Sequence, residues 1–103
     1  MAYMSTELII RAKLTRYFLP TYLEVRNFSD EHAGPKGRST HFEVVLVSDA
    51  FVDLNAVERQ RRVFTVLEKE LSGGVHALSL KTYTPNEWHK KKVTIPPPPR
   101  ALN

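Results

Sequence analysis

The 103-residue sequence contains no cysteine. That excludes a disulfide framework, a thiol nucleophile, a zinc finger of the Cys type and an iron–sulfur cluster held by the chain's own thiolates. No apolar run approaches the ~18 residues of a membrane span, so no membrane partner is expected. The first residues, MAYMSTELIIRAKL, lack a hydrophobic h-region and a small-residue cleavage site. Their basic residues Arg11 and Lys13, with Arg16, fall inside a helical pattern rather than a transit peptide. The expectation is an intracellular protein, placed in the cytoplasm ahead of the nucleus or mitochondrion. Catalytic signatures are missing too: there is no nucleophile elbow, no phosphate loop and no carboxylate pair at a telling spacing. The sequence therefore predicts a protein that is not an enzyme. Charge is only mildly one-sided, with 15 Lys+Arg against 11 Asp+Glu, a net charge of +4 and a pI near 9.6. Such an excess permits a nucleic-acid or acidic partner without requiring one.

What is present suffices for one modest core. Ser5 or Thr6 can cap a first helix, with Ile10, Leu14, Tyr17 and Phe18 as its apolar stripe and Leu19-Pro20 as its end. Tyr22 to Asn27 alternates as a short strand, with Leu23 and Val25 on one face. Residues 29–40 are polar, carry Gly34-Pro35 and Gly37, and read as a long loop, expected to be the most mobile internal segment. His41 to Ser48 is the best strand, with Phe42, Val44 and Leu46 inward. A second helix is predicted from a cap at Asn55, with Glu58 reaching back, to Gly73-Gly74; Val57, Phe64, Leu67 and Leu71 mark its buried side. Val75 to Tyr83 reads as a third strand. Thr84-Pro85-Asn86-Glu87 opens a last short helix that carries Trp88 as a core anchor. One domain over residues 1–95 is expected, followed by a proline-rich tail at residues 96–103 whose Pro96 to Pro99 run suits a polyproline helix and could serve an SH3 or WW domain.

The order α-β-β-α-β-α describes an α+β two-layer sandwich with a three-stranded mixed sheet. Strands one and two are joined by a loop and should run antiparallel; strands two and three, joined through a helix, should run parallel. Parallel strands start at the same end of a sheet. His41 opens strand two, His76 stands at the start of strand three, and His32 lies in the loop that leads to His41. The topology therefore gathers three histidines at one edge. Imidazole is the commonest neutral metal ligand, yet three donors do not close a structural site, so a partner could complete it. Ordinary surface or capping roles for these histidines stay open on spacing alone. Arg59, Arg61 and Arg62 could bind phosphates or simply form a solvated helix face. Gly34-Pro35-Lys36-Gly37 has the GXXG form of KH loops, but it joins two strands rather than two helices, which favours a plain turn.

Over residues 6–95 the chain resembles the BolA family. The stretches that carry the resemblance are HAGPKGRSTHF from His32 to Phe42, the strand HFEVVLVSDAF, and LSGGVHALSLKTY from Leu71 to Tyr83 with its V-H-A-L signature. Phe51 to Phe64 is similar to the family's F-x-G-x-x-x-x-x-R-H-R-x-x-Y pattern and keeps Arg59 and Arg61; Asp53 replaces its Gly, Gln60 its His and Phe64 its Tyr. The tail also lacks the cysteine that many relatives carry after Pro-Pro. The resemblance implies a class II KH-like sandwich and a monothiol, CGFS-type glutaredoxin as partner. It further implies a [2Fe-2S] cluster bridging the two proteins, with a glutaredoxin cysteine and glutathione serving one iron. The BolA side then supplies His76 and a loop residue, here His32, with His41 as the alternative second ligand. The isolated chain would be a monomer without cofactor. Mixed ligation of that kind raises a cluster's potential above that of an all-thiolate one. The competing implication is a KH-like nucleic-acid-binding transcriptional regulator working through Arg59, Arg61 and Arg62.

Overall fold

The computed structural model describes residues 5–27, 41–75 and 77–93. Its elements are α1 (Thr6–Phe18), β1 (Tyr22–Asn27), β2 (His41–Val47), α2 (Ala56–Val66), α3 (Glu68–Gly73), β3 (Ala77–Tyr83) and α4 (Pro85–Val93), with a 3-10 turn at Asp49–Phe51. The sheet order is β1-β2-β3, with β1 antiparallel and β3 parallel to β2. This is the α+β arrangement that the pattern predicts. It differs at the second helix, which is two helices meeting at Leu67 (φ −100°, ψ 20°). The loop at residues 29–40 and the tail at residues 96–103 lie outside the described residues.

Alternation builds the core. Leu23 and Val25, Phe42, Val44 and Leu46, and Leu78 and Leu80 share the face that meets Ile10, Leu14 and Phe18 of α1 and Val63 and Leu67 at the α2–α3 junction. Two expected core positions are exposed. Tyr17 is 62% accessible because, at ~100° per residue, it stands about 60° from the midline of Ile10, Leu14 and Phe18. Val57, also 62% accessible, lies about 100° around from the Val63–Leu67 line. Val63, absent from the predicted stripe, is fully buried.

Caps explain the boundaries. Ser5 Oγ accepts from the Leu8 amide, and Asn55 Oδ1 accepts from the Glu58 amide at 2.9 Å, while the Glu58 carboxylate turns to Arg61 instead of back to the cap. At α4 the box is complete: Thr84 Oγ1 accepts from the Glu87 amide at 3.1 Å, and Glu87 Oε1 accepts from the Thr84 amide at 2.9 Å. Ser48 is buried, donates to the Phe18 carbonyl at 2.6 Å and accepts from the Ala50 amide at 3.0 Å, so it ties the end of α1 to the end of β2.

Among the described residues, two with side chains hold left-handed backbone: Leu19 (φ 46°), which caps α1, and Asp53 (φ 70°). Leu19 is 79% accessible, so a glycine there gives up little packing. At Asp53 the conformation accounts for the glycine of the similar pattern. Leu19→Gly and Asp53→Gly are each expected to raise stability by about 0.5–1 kcal/mol, since only glycine enters this region without steric cost. Thermal melts of the two variants check this; a lowered midpoint in both contradicts it.

Candidate functional site

The sheet has two chemically distinct ends. At one end His41 opens β2, and the parallel register sets it opposite Ala77, the residue that follows His76 in the chain. Asn27, the last residue of β1, pairs with Phe42 at the same end. The segment carrying His32 therefore leaves and rejoins the sheet here. His32 follows Asn27 by five residues in the sequence. His32 and His76 themselves lie outside the described residues. His41 is half-buried on the strand. Among the described residues no three His, Cys, Asp or Glu side chains gather as a metal site. The described open face beyond His41 carries an ion network, with Glu43 facing Arg26 at 3.6 Å and Lys81 at 3.8 Å.

The three arginines of α2 do not act as a group. Arg59 is four residues before the buried Val63, which carries its side chain inward beside the core. It donates through Nη1 and Nη2 to the two carboxylate oxygens of Glu87 at 2.7 and 3.0 Å, and through Nε to the Leu54 carbonyl at 2.8 Å. Its guanidinium lies 5.7 Å from the Phe51 ring centre. Arg59 thus clamps α4 onto α2. Arg61 pairs with Glu58 at 2.9 Å on the outer face, and Arg62 is exposed. The clamp was hidden from sequence reasoning, although the i, i+4 relation of Arg59 to Val63 was a signal for it.

The clamp also sets a pH response. The Arg59 hydrogen bonds first, and the Thr84 amide second, lower the Glu87 carboxyl from 4.5 to about 2, and Glu87 in turn raises Arg59. A carboxyl depressed on folding contributes stability above its unfolded value, and that contribution is lost as pH falls from about 4.5 through 2. Glu87 is about half exposed, so solvent screens the pair. Arg59→Met is expected to cost about 1–2 kcal/mol at neutral pH. It should also flatten the loss of stability below pH 4.5, as urea titrations across that range would show. An unchanged acid profile counts against the clamp.

At the other end of the sheet, Tyr22, Val47 and Tyr83 stand in one cross-strand row. Trp88 stacks on Tyr22 (5.1 Å, 20°) and tilts against Tyr83 (5.1 Å, 48°). Val47 lies between these two tyrosines and is fully buried although it is on the face opposite the main core. Trp88 does anchor α4, as expected, but on this far face and half-buried rather than within the core. The Tyr22 hydroxyl donates to Glu24 at 3.0 Å, which raises its ionisation above the usual tyrosine value. His89, the remaining histidine, is exposed on α4.

Comparison with known proteins places this geometry. The model of the BolA-like protein family matches residues 14–87. The DNA-binding transcriptional regulator BolA of Haemophilus influenzae is 37% identical over 93 residues, covering 90% of each chain. BolA-like protein 1 of Mus musculus is 43% identical over 93 residues, which is 89% of this chain and 68% of the relative. Among solved structures, BolA1 from Arabidopsis thaliana superposes with a TM-score of 0.79 at 39% identity, covering 84% of this chain and 98% of the other. With a family match across most of the fold, and with relatives that align along nearly its whole length, the chain belongs to the BolA family.

Proposed function

We propose that this chain is a non-enzymatic partner of a monothiol glutaredoxin and co-ligates a bridging [2Fe-2S] cluster in iron–sulfur assembly, trafficking or iron sensing. The observation that supports it most is the β2–β3 register. It sets His41 beside the residue after His76, at the sheet end where the His32 segment begins and ends. The donor chemistry fits half a cluster: the chain offers imidazoles and no thiolate, so a thiol-bearing partner must hold the other iron. His76, with His32 or His41, would hold the iron on this chain's side, and the bridging cluster would supply electron storage or transfer to a client. The chain alone is a monomer without the group.

The test mixes the chain with a monothiol glutaredoxin, glutathione, iron and sulfide, and records visible absorption and circular dichroism. The expected spectrum differs from that of the glutaredoxin alone with its cluster; an identical spectrum removes the reading. The second reading, a nucleic-acid-binding regulator, draws on the name of the Haemophilus relative. Its arginine version is weakened by Arg59, which is committed to Glu87. Salt separates the two, because phosphate-driven binding falls steeply with ionic strength and cluster ligation does not.

A further inference from the structure

The ring cluster at the sheet end remote from His41 carries ordered positive charge. Lys91 Nζ lies 5.7 Å from the Tyr83 ring centre, and Lys92 Nζ lies 5.3 Å from that of Trp88. Among the described residues neither ammonium group has a carboxylate partner, while Glu87 is held by Arg59 and Glu24 accepts from Tyr22. The helix dipole favours lysines in a last turn. It does not require them to fold over a half-exposed aromatic cluster. Held against the rings, these two long side chains have less freedom to lose when an anion arrives.

We infer that this surface binds single-stranded nucleic acid, with backbone phosphates on Lys91 and Lys92 and a base stacked on Tyr22, which is 39% accessible. The combination of groups decides the class of ligand. An acidic peptide would satisfy the ammonium groups and leave the rings unused. A duplex keeps its bases stacked on one another, whereas an open strand offers phosphates and π faces together. Lysines act as point charges on phosphate and lack the fork that reads a base edge, so binding here is independent of sequence. The inference does not rest on the glutaredoxin reading, because six residue steps of β2, about 20 Å, separate this surface from His41. It also differs from an arginine-helix interface, since Arg59 and Arg61 are already paired.

Trp88 is the single tryptophan, so intrinsic fluorescence reports on the surface directly. The full chain is titrated at low salt with a short oligothymidylate, its ribonucleotide counterpart, the matching duplex, heparin and polyglutamate. Single strands are expected to quench Trp88, with affinity falling as salt rises. The double variant Lys91→Gln/Lys92→Gln should bind about tenfold more weakly, as loss of two phosphate contacts implies. Tyr22→Leu, which keeps apolar cover over Val47, should bind at least about fivefold more weakly through lost stacking. Arg61→Gln/Arg62→Gln should stay within about twofold of the parent, because those side chains lie outside the surface. Binding of one sugar type only supports the surface and names its source. Absence of quenching, equal affinity for heparin, polyglutamate or duplex, or a loss confined to the arginine variant overturns the inference. Spectra with glutaredoxin, recorded on the lysine variant, keep this outcome separate from that of the cluster reading.

Discussion

Replacing His76 with alanine is expected to abolish the spectrum of the heterodimeric cluster, the largest functional effect of any single substitution in this chain. The next residue, Ala77, is fixed in register against His41 by the β2–β3 ladder. A ligand joined directly to such a strand would give up little freedom when the partner binds, so His76 is expected to supply the dominant share of the chain's hold on the proposed iron. The sequence puts His32 in a long polar segment with few apolar side chains, from which a ligand is expected to contribute less than one adjoining a strand. His32→Ala should therefore still assemble a cluster, but a more labile one with altered spectral features. His41 opens a strand, a position that suits a structural hydrogen bond as well as a ligand. Nitrogen hyperfine coupling in the reduced cluster, measured for the His32→Ala and His41→Ala proteins in parallel, separates these roles. Loss of a coupling in the His41 variant alone would assign the second position to His41. A persistent heterodimer spectrum in His76→Ala would remove the leading ligand.

The features that sequence makes legible here are those governed by local rules. The alternation of HFEVVLV sets Phe42, Val44 and Leu46 inward, and a helix between two strands makes them parallel, which brings the start of β2 level with the start of β3. The α4 capping box can be read from four consecutive residues. What escapes is set by contacts between distant segments. Val47 looks outward by alternation, yet Tyr22, Tyr83 and Trp88 come from three other elements to cover it. Arg59 is one of three neighbouring arginines in the sequence, and only the position of Glu87, 28 residues away, makes it a clamp. Val57 joins an apolar pattern with Phe64 and Leu71 at seven-residue spacing, but the contact line runs through Val63 and Leu67. The candidate site follows the same division. Topology predicts the edge to which His41 belongs, whereas no local rule chooses between His32 and His41 as the proposed second ligand.

Phe51→Ala is expected to have the largest effect on stability, because three elements meet on this one ring. Phe51 is fully buried, lies 5.3 Å from Phe18 at the end of α1, and supports the Arg59 guanidinium. The Leu54 amide also donates to its carbonyl, so the turn that delivers the chain to α2 is built around it. Truncation removes the ring's burial and leaves a cavity bounded by α1 and the turn into α2, at a cost of about 3–5 kcal/mol. In a domain whose total stability is on the order of 5–15 kcal/mol, that is a large fraction. The melting midpoint should fall by about 15 °C or more. Phe51→Leu keeps most of the volume and should lose less than about 1.5 kcal/mol. Pairing Phe51→Leu with Arg59→Met tests whether ring and clamp act together: a shared unit gives a double variant less destabilised than the sum of the singles. Strict additivity would show that Phe51 serves the core alone and that the Arg59–Glu87 clamp stands without it.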